Sequence, residues 1–222
     1  MRRLALSVVV SLLLVAVAPA ADEVVVETWK DKLGATGIPP GWQGQNWGSP
    51  KYDFRVEEND GRAALRMKSE DDGSTISRDI RGKVDLKATP ILEWSWKAVA
   101  LPRGGNSCKK ATDDQAAQLF VVWPRFPEAV RSRIIGYVWD TTLPVGTICK
   151  SEKTGTVTYV VVESGTGELG KWVTERRNVA DDFRKIYGEA PDAPAAVSLS
   201  IDSNDTHSRS EAFVGAIAFR RP

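Results

Sequence analysis

The chain has 222 residues, with 30 Lys plus Arg against 29 Asp plus Glu and a formal net charge of +1. That balance gives no overall field drawing it to nucleic acid or to an anionic membrane, and no nucleic-acid function is read from it. A single His argues against a metal triad or a Ser-His-Asp arrangement, and there is no Gly-x-Ser-x-Gly, phosphate loop or dinucleotide fingerprint.

The N-terminus has the three-part layout of a signal peptide over residues 1–20. Arg2 and Arg3 precede an apolar run from Leu4 to Val17, and Ala18-Pro19-Ala20 supplies small residues at the cleavage site. A transmembrane anchor is the alternative, but a span needs about 20 apolar residues, and this run ends at Pro19. The expected product is one domain, residues 21–222, periplasmic or secreted, with no further membrane span and an oligomeric state left open.

Short β signals then recur between Gly, Pro, Asn and Asp. Val24 to Trp29 opens the domain, followed by a Gly/Pro-rich loop from Gly34 to Pro50 that carries Trp42 and Trp47. Tyr52–Glu57 and Ala63–Lys68 flank Asp60-Gly61, a favoured hairpin pair. Ser74–Ile80 and Ile91–Lys97 follow; in the latter Leu92, Trp94 and Trp96 share one face. Gln115–Trp123 is apolar almost throughout, as a strand covered on both faces would be. Arg133–Asp140, Thr156–Glu163, Lys171–Val179, Ala196–Asp202 and Ala212–Arg220 continue the series, the last with Phe213, Gly215, Ile217 and Phe219 on one face. Ala180–Tyr187 is the one helical segment, with acids first, bases later and Gly188 as a stop. About eleven strands and one short helix predict an all-β, two-sheet antiparallel sandwich of jelly-roll type.

Cys108 and Cys149 lie in loop-like sequence of an exported chain, which predicts a disulfide; two cysteines 41 apart are not a zinc spacing.

Leu92-Glu-Trp-Ser-Trp-Lys97, Asp113 to Val122, Tyr137-Val-Trp139, Trp172 to Asp182 and Ile201 to Thr206 resemble, in order and spacing, a bacterial family of exported proteins, domain of unknown function 3047. The resemblance runs from about Trp29 to Phe219 and implies a sandwich similar to carbohydrate-binding modules. It brings no catalytic residue. The chain departs from the family pattern at Gln118, where a basic residue is common, and in its two cysteines.

Polar residues beside apolar strands are the candidates for chemistry, because burying one unpaired costs about 1–3 kcal/mol. Asp113 and Asp114 are read either as a cation site or hydrogen-bonding ligand end, or as loop-end acids pairing with a base or capping a turn. Glu175, Arg177 and Asn178 belong either to a structural network or to a sugar-facing surface. Asp202, Asn204 and Asp205 space oxygens as a calcium loop does, but without the Gly and closing Glu of an EF-hand; an Asx-rich turn has the same pattern. Trp42 and Trp47, with Trp29, are the candidate sugar platforms, since a loop aromatic is harder to bury than Trp94, Trp96 or Trp139. The reading these support is a non-catalytic binding module for a saccharide or envelope component. Two alternatives stand beside it: a structural or assembly protein of the envelope, and a glycosidase or lyase drawing two carboxylates from Glu93, Glu163 and Glu175. No cofactor is required by any of them.

Overall fold

The computed structural model describes residues 23–222; the expected signal peptide lies outside the described residues. Thirteen strands, numbered in chain order, form two sheets. The first has the order β11 (Val173–Asn178), β6 (Ile91–Ala100), β13 (Arg209–Arg220), β4 (Arg62–Glu70), β3 (Asp53–Asn59), with β1 (Glu23–Glu27) also beside β13. The second runs β2 (Gln43–Gly44), β5 (Gly73–Asp79), β12 (Ala196–Asp202), β7 (Ala117–Trp123), β8 (Arg133–Asp140), β10 (Val157–Ser164), β9 (Ile148–Lys150). Every pairing is antiparallel except β8 with β10, whose connection carries β9 and returns the chain in the same direction. Among the described residues no helix is long and apolar enough to cross a membrane.

Period-2 alternation puts Leu92, Trp94 and Trp96 between the sheets, where Trp94 meets Tyr137 at 5.3 Å between ring centroids and Trp96 meets Trp139 at 6.2 Å. Beside them α2 (Val179–Tyr187) starts on Asn178, whose side chain accepts from the Asp181 amide, and stops at Gly188 with φ 74°. It places Phe183 against Trp123, and burying such a ring stabilises by about 2–3 kcal/mol.

Two features depart from the sequence expectation. The register of β13 slips between Val214 and Ile217, so Val214, Ile217 and Phe219 face the core while Phe213 turns to the outer face beside Lys97 and Trp172. The β-bulge carries Gly215, where a Cβ would sit 2.3 Å from Ser95 Oγ and whose carbonyl accepts from Trp29 Nε1. The short elements β2, β9 and α1 (Glu128–Arg131) escaped the pattern, because two to four residues carry no readable period.

Cys108 and Cys149 form a disulfide with Cα atoms 5.8 Å apart, tying the loop before β7 to β9.

Candidate functional site

The outer face of the second sheet carries a cleft of about 640 Å³ that crosses β5, β12, β7, β8 and β10. Inward residues of these strands are apolar, so their alternates face out, and here those are polar on β5 and β12 and aromatic or aliphatic (Phe120, Val122, Ile134, Val157, Tyr159) toward β8 and β10. Thr75 and Ser200 hydrogen bond across β5 and β12 at 2.8 Å, and Ser77 and Ser198 at 2.7 Å, giving the floor two pairs of hydroxyls. The next strand adds Gln118 opposite Ser200 and Phe120 opposite Ser198.

Gly136 on β8 lies between Phe120 and Tyr159, and a Cβ there would meet Phe120 Cε1 at 2.7 Å and Tyr159 Cδ1 at 3.0 Å. Its missing side chain lets the two rings approach to 6.3 Å between centroids, making an aromatic shelf beside the hydroxyls. Trp47 stands at one rim with 61% of its surface exposed. Gln45 holds that loop to β5: its amide oxygen accepts from Thr75 N at 2.7 Å and its Nε2 donates to Trp47 O at 3.0 Å. Lys153 and Thr154 line the other side, with Lys153 paired to Asp205.

The deep end is carboxylate-rich. Asp113 accepts from Gln115 Nε2 at 3.0 Å and, at longer range, from Ser151 and Tyr159. Burial pushes its pKa up to about 6, against those hydrogen bonds and the Lys153 charge. Asp202 Oδ1 receives Gln115 N at 2.7 Å and Gln118 Nε2 at 2.8 Å. Its surface is still partly open, yet the atoms crowding it strip most of its water, and Asp114 and Asp113 add like charge, so its pKa lies well above the usual carboxylate range. Burial thus favours the neutral form of both Asp113 and Asp202. The one lining cation, Lys153, is paired with Asp205 while Asp71 and Asp72 add two more lining carboxyls, which suits a polyhydroxylated ligand better than an anion.

The sequence candidates divide on this geometry. Trp47, Asp113, Asp202 and Asn204 come together in the cleft. Asp114 does not face it; it caps the turn by accepting from Asp205 N and Thr206 N. Trp42 is only 5% exposed, stacked on a fully buried Trp29 at 5.4 Å, so neither indole offers a free face. Arg177 makes a two-pronged pair with Asp182, which also accepts from Tyr137 OH, and Asn178 caps α2; these serve the helix junction.

The oxygens considered for calcium are engaged by protein donors: Asp202 by Gln115 and Gln118, Asp205 by Lys153. No group of three or more His, Cys, Asp or Glu able to hold a metal occurs among the described residues. Glu93 is held by Arg176 and Arg220 on the outer face of the first sheet. Glu175 lies near Glu163, and neither lines the cleft.

Sequence reasoning missed Gln45, Thr75, Ser77, Phe120, Lys153, Tyr159, Ser198 and Ser200. The signal was present in Ser198-Leu-Ser200-Ile-Asp202, where a strand alternates small polar residues with core residues.

The family described as Protein of unknown function (DUF3047) matches residues 40–218, and the chain belongs to it. No curated protein matches the chain. Among solved structures it is similar to the family 11 carbohydrate-binding module of a cellulosomal cellulase of Clostridium thermocellum, with TM-score 0.48 and 9% identity over 90% of this chain and 95% of that one. It is also similar to a family 30 module of a cellulosomal cellulase of the same organism, with TM-score 0.42 and 10% identity over 89% and 97%. The cleaved adhesin domain K2 of Lys-gingipain gives TM-score 0.43 and 9% identity over 89% and 98%. No residue role is carried across from these.

Proposed function

We propose that this member of the family is an exported, non-catalytic binding protein whose ligand is a neutral saccharide lying in the cleft of the second sheet. The observation that carries the reading is the cleft itself: paired hydroxyls, an amide and carboxyls on the floor, and the rings of Phe120, Tyr159 and Trp47 beside them. A sugar ring has an apolar face that packs on an aromatic and a hydroxyl rim that needs donors and acceptors together. The Ser and Thr hydroxyls with the Gln118 amide supply both roles, and the carboxylates add acceptors. A place outside the cytoplasm fits the Cys108–Cys149 disulfide and the signal-peptide pattern of residues 1–20.

The test is a glycan array with purified protein, followed by titration of hits while tryptophan fluorescence is recorded. Binding that shifts the emission and is lost in Trp47→Ala supports the reading. The absence of any saccharide ligand overturns it and favours a protein partner in the envelope.

A further inference from the structure

A second cleft, of about 600 Å³, opens where the last turn of α2 faces β9 and the starts of β8 and β10. Thr158 lines it, whereas its neighbours Val157 and Tyr159 line the first cleft, so the two clefts sit on opposite faces of β10. Four cations line this one, Arg131, Arg133, Lys150 and Lys185, and no acidic side chain does. The near-zero net charge of the chain hides this local excess.

Arg133 is partly compensated. Its guanidinium packs over Tyr187 at 4.8 Å and Phe183 at 5.5 Å and is paired with Glu189, which Arg125 also engages. Arg131, Lys150 and Lys185 form no ion pair among the described residues. Lys185 also sits in the last turn of α2, where the helix dipole favours a cation, but that does not account for Arg131 and Lys150. Three unpaired charges around one cavity match a group carrying more than one negative charge. A single carboxylate would leave most of them unanswered. A phosphate monoester carries about −1.5 to −2 near neutral pH, and its tetrahedral oxygens fit the planar donors of Arg with Lys as added point charges.

We propose that this cleft is a second binding site, for a phosphate group. Beside it the tip that carries α1 exposes Val130 to 74% and Phe126 to 86%, two apolar side chains next to the cations. A free phosphate compound needs only the cations; a phospholipid headgroup would use the cations and the apolar tip together.

The experiment has two arms at fixed ionic strength. Calorimetry follows inorganic phosphate against a chloride control, and co-sedimentation compares phosphatidic acid, whose headgroup is a phosphate monoester, with phosphatidylcholine vesicles. Saturable binding in either arm is expected, weakened at least tenfold in Lys150→Gln/Lys185→Gln and unchanged in the control Lys30→Gln/Lys83→Gln. Both lysines of the test pair are exposed, so the melting temperature should confirm an intact fold. Vesicle binding that also falls in Phe126→Ser identifies a lipid headgroup as the source; phosphate binding without vesicle binding identifies a soluble one. No binding in either arm, binding that survives the double substitution, or equal loss in the control pair overturns the proposal.

Discussion

The indole nitrogen of Trp42 donates to Glu27 Oε2 at 2.9 Å. Glu27 is 3% exposed and also accepts from Thr28 N, Trp29 N, Lys32 Nζ and Arg78. Burial alone would raise its pKa; those hydrogen bonds and the Arg78 charge outweigh it and hold the carboxyl below its ordinary value. One carboxylate thus pins the Gly/Pro loop, the end of β1 and strand β5. Glu27→Leu strands Arg78 and Lys32 beside a buried indole, and should destabilise by about 3–5 kcal/mol in chemical denaturation. A change below 1 kcal/mol would show that the donors simply turn to water.

The same contact explains where the sequence could be read. Strand alternation in Leu92-Glu-Trp-Ser-Trp-Lys97 names its core face without help, and the early acids, later bases and Gly188 mark α2 to within a residue. Trp42 could not be assigned that way, because its burial depends on Glu27, fifteen residues earlier, and on Trp29. Phe213 failed for a different reason: a β-bulge reverses side-chain parity and leaves no signature in composition. In the cleft, Trp47 and Asp113 were visible as unusual residues, whereas Ser198 and Ser200 gain meaning only from the strand partners Ser77 and Thr75.

The disulfide makes a separate prediction. It closes a loop with a sequence separation of 41. Chain entropy assigns such a loop about 4 kcal/mol. Cys108→Ser/Cys149→Ser should lower the urea midpoint accordingly. Reductant should do the same to the unaltered protein and nothing to the variant.

Glu175 gives the pH dependence. Its Oε1 and the Nε1 of Trp96 are both buried without a hydrogen-bond partner. Burial, then the neighbouring Glu163 carboxylate, push its pKa from 4.5 up to about 7, with Trp96 and Arg177 pulling weakly the other way. An acid held above its ordinary value favours folding while protonated. Its contribution is full below about pH 4.5 and lost as pH rises through about 7. Asp113, raised to about 6, acts in the same direction at lower pH. After solvent screening the Glu175 effect is on the order of 1–2 kcal/mol. Thermal melts should show stability falling between about pH 4.5 and 7, and Glu175→Gln should remove most of that fall. An unchanged slope in the variant would place the dependence elsewhere.

The cleft is tested by two substitutions that separate shape from surface. Trp47 is 61% exposed, so Trp47→Ala should leave the melting temperature in place. Losing an aromatic platform of this kind should weaken saccharide binding by about 1–1.5 kcal/mol, or roughly tenfold. Gly136→Ala acts from beneath. Its new methyl would sit 2.7 Å from Phe120 Cε1 and 3.0 Å from Tyr159 Cδ1, forcing the shelf apart. Such overpacking should cost about 1–3 kcal/mol of stability and reduce binding as well, because both rings line the floor. Binding that survives Gly136→Ala with full affinity would remove Phe120 and Tyr159 from the contact and leave Trp47 and the hydroxyl pairs to carry it.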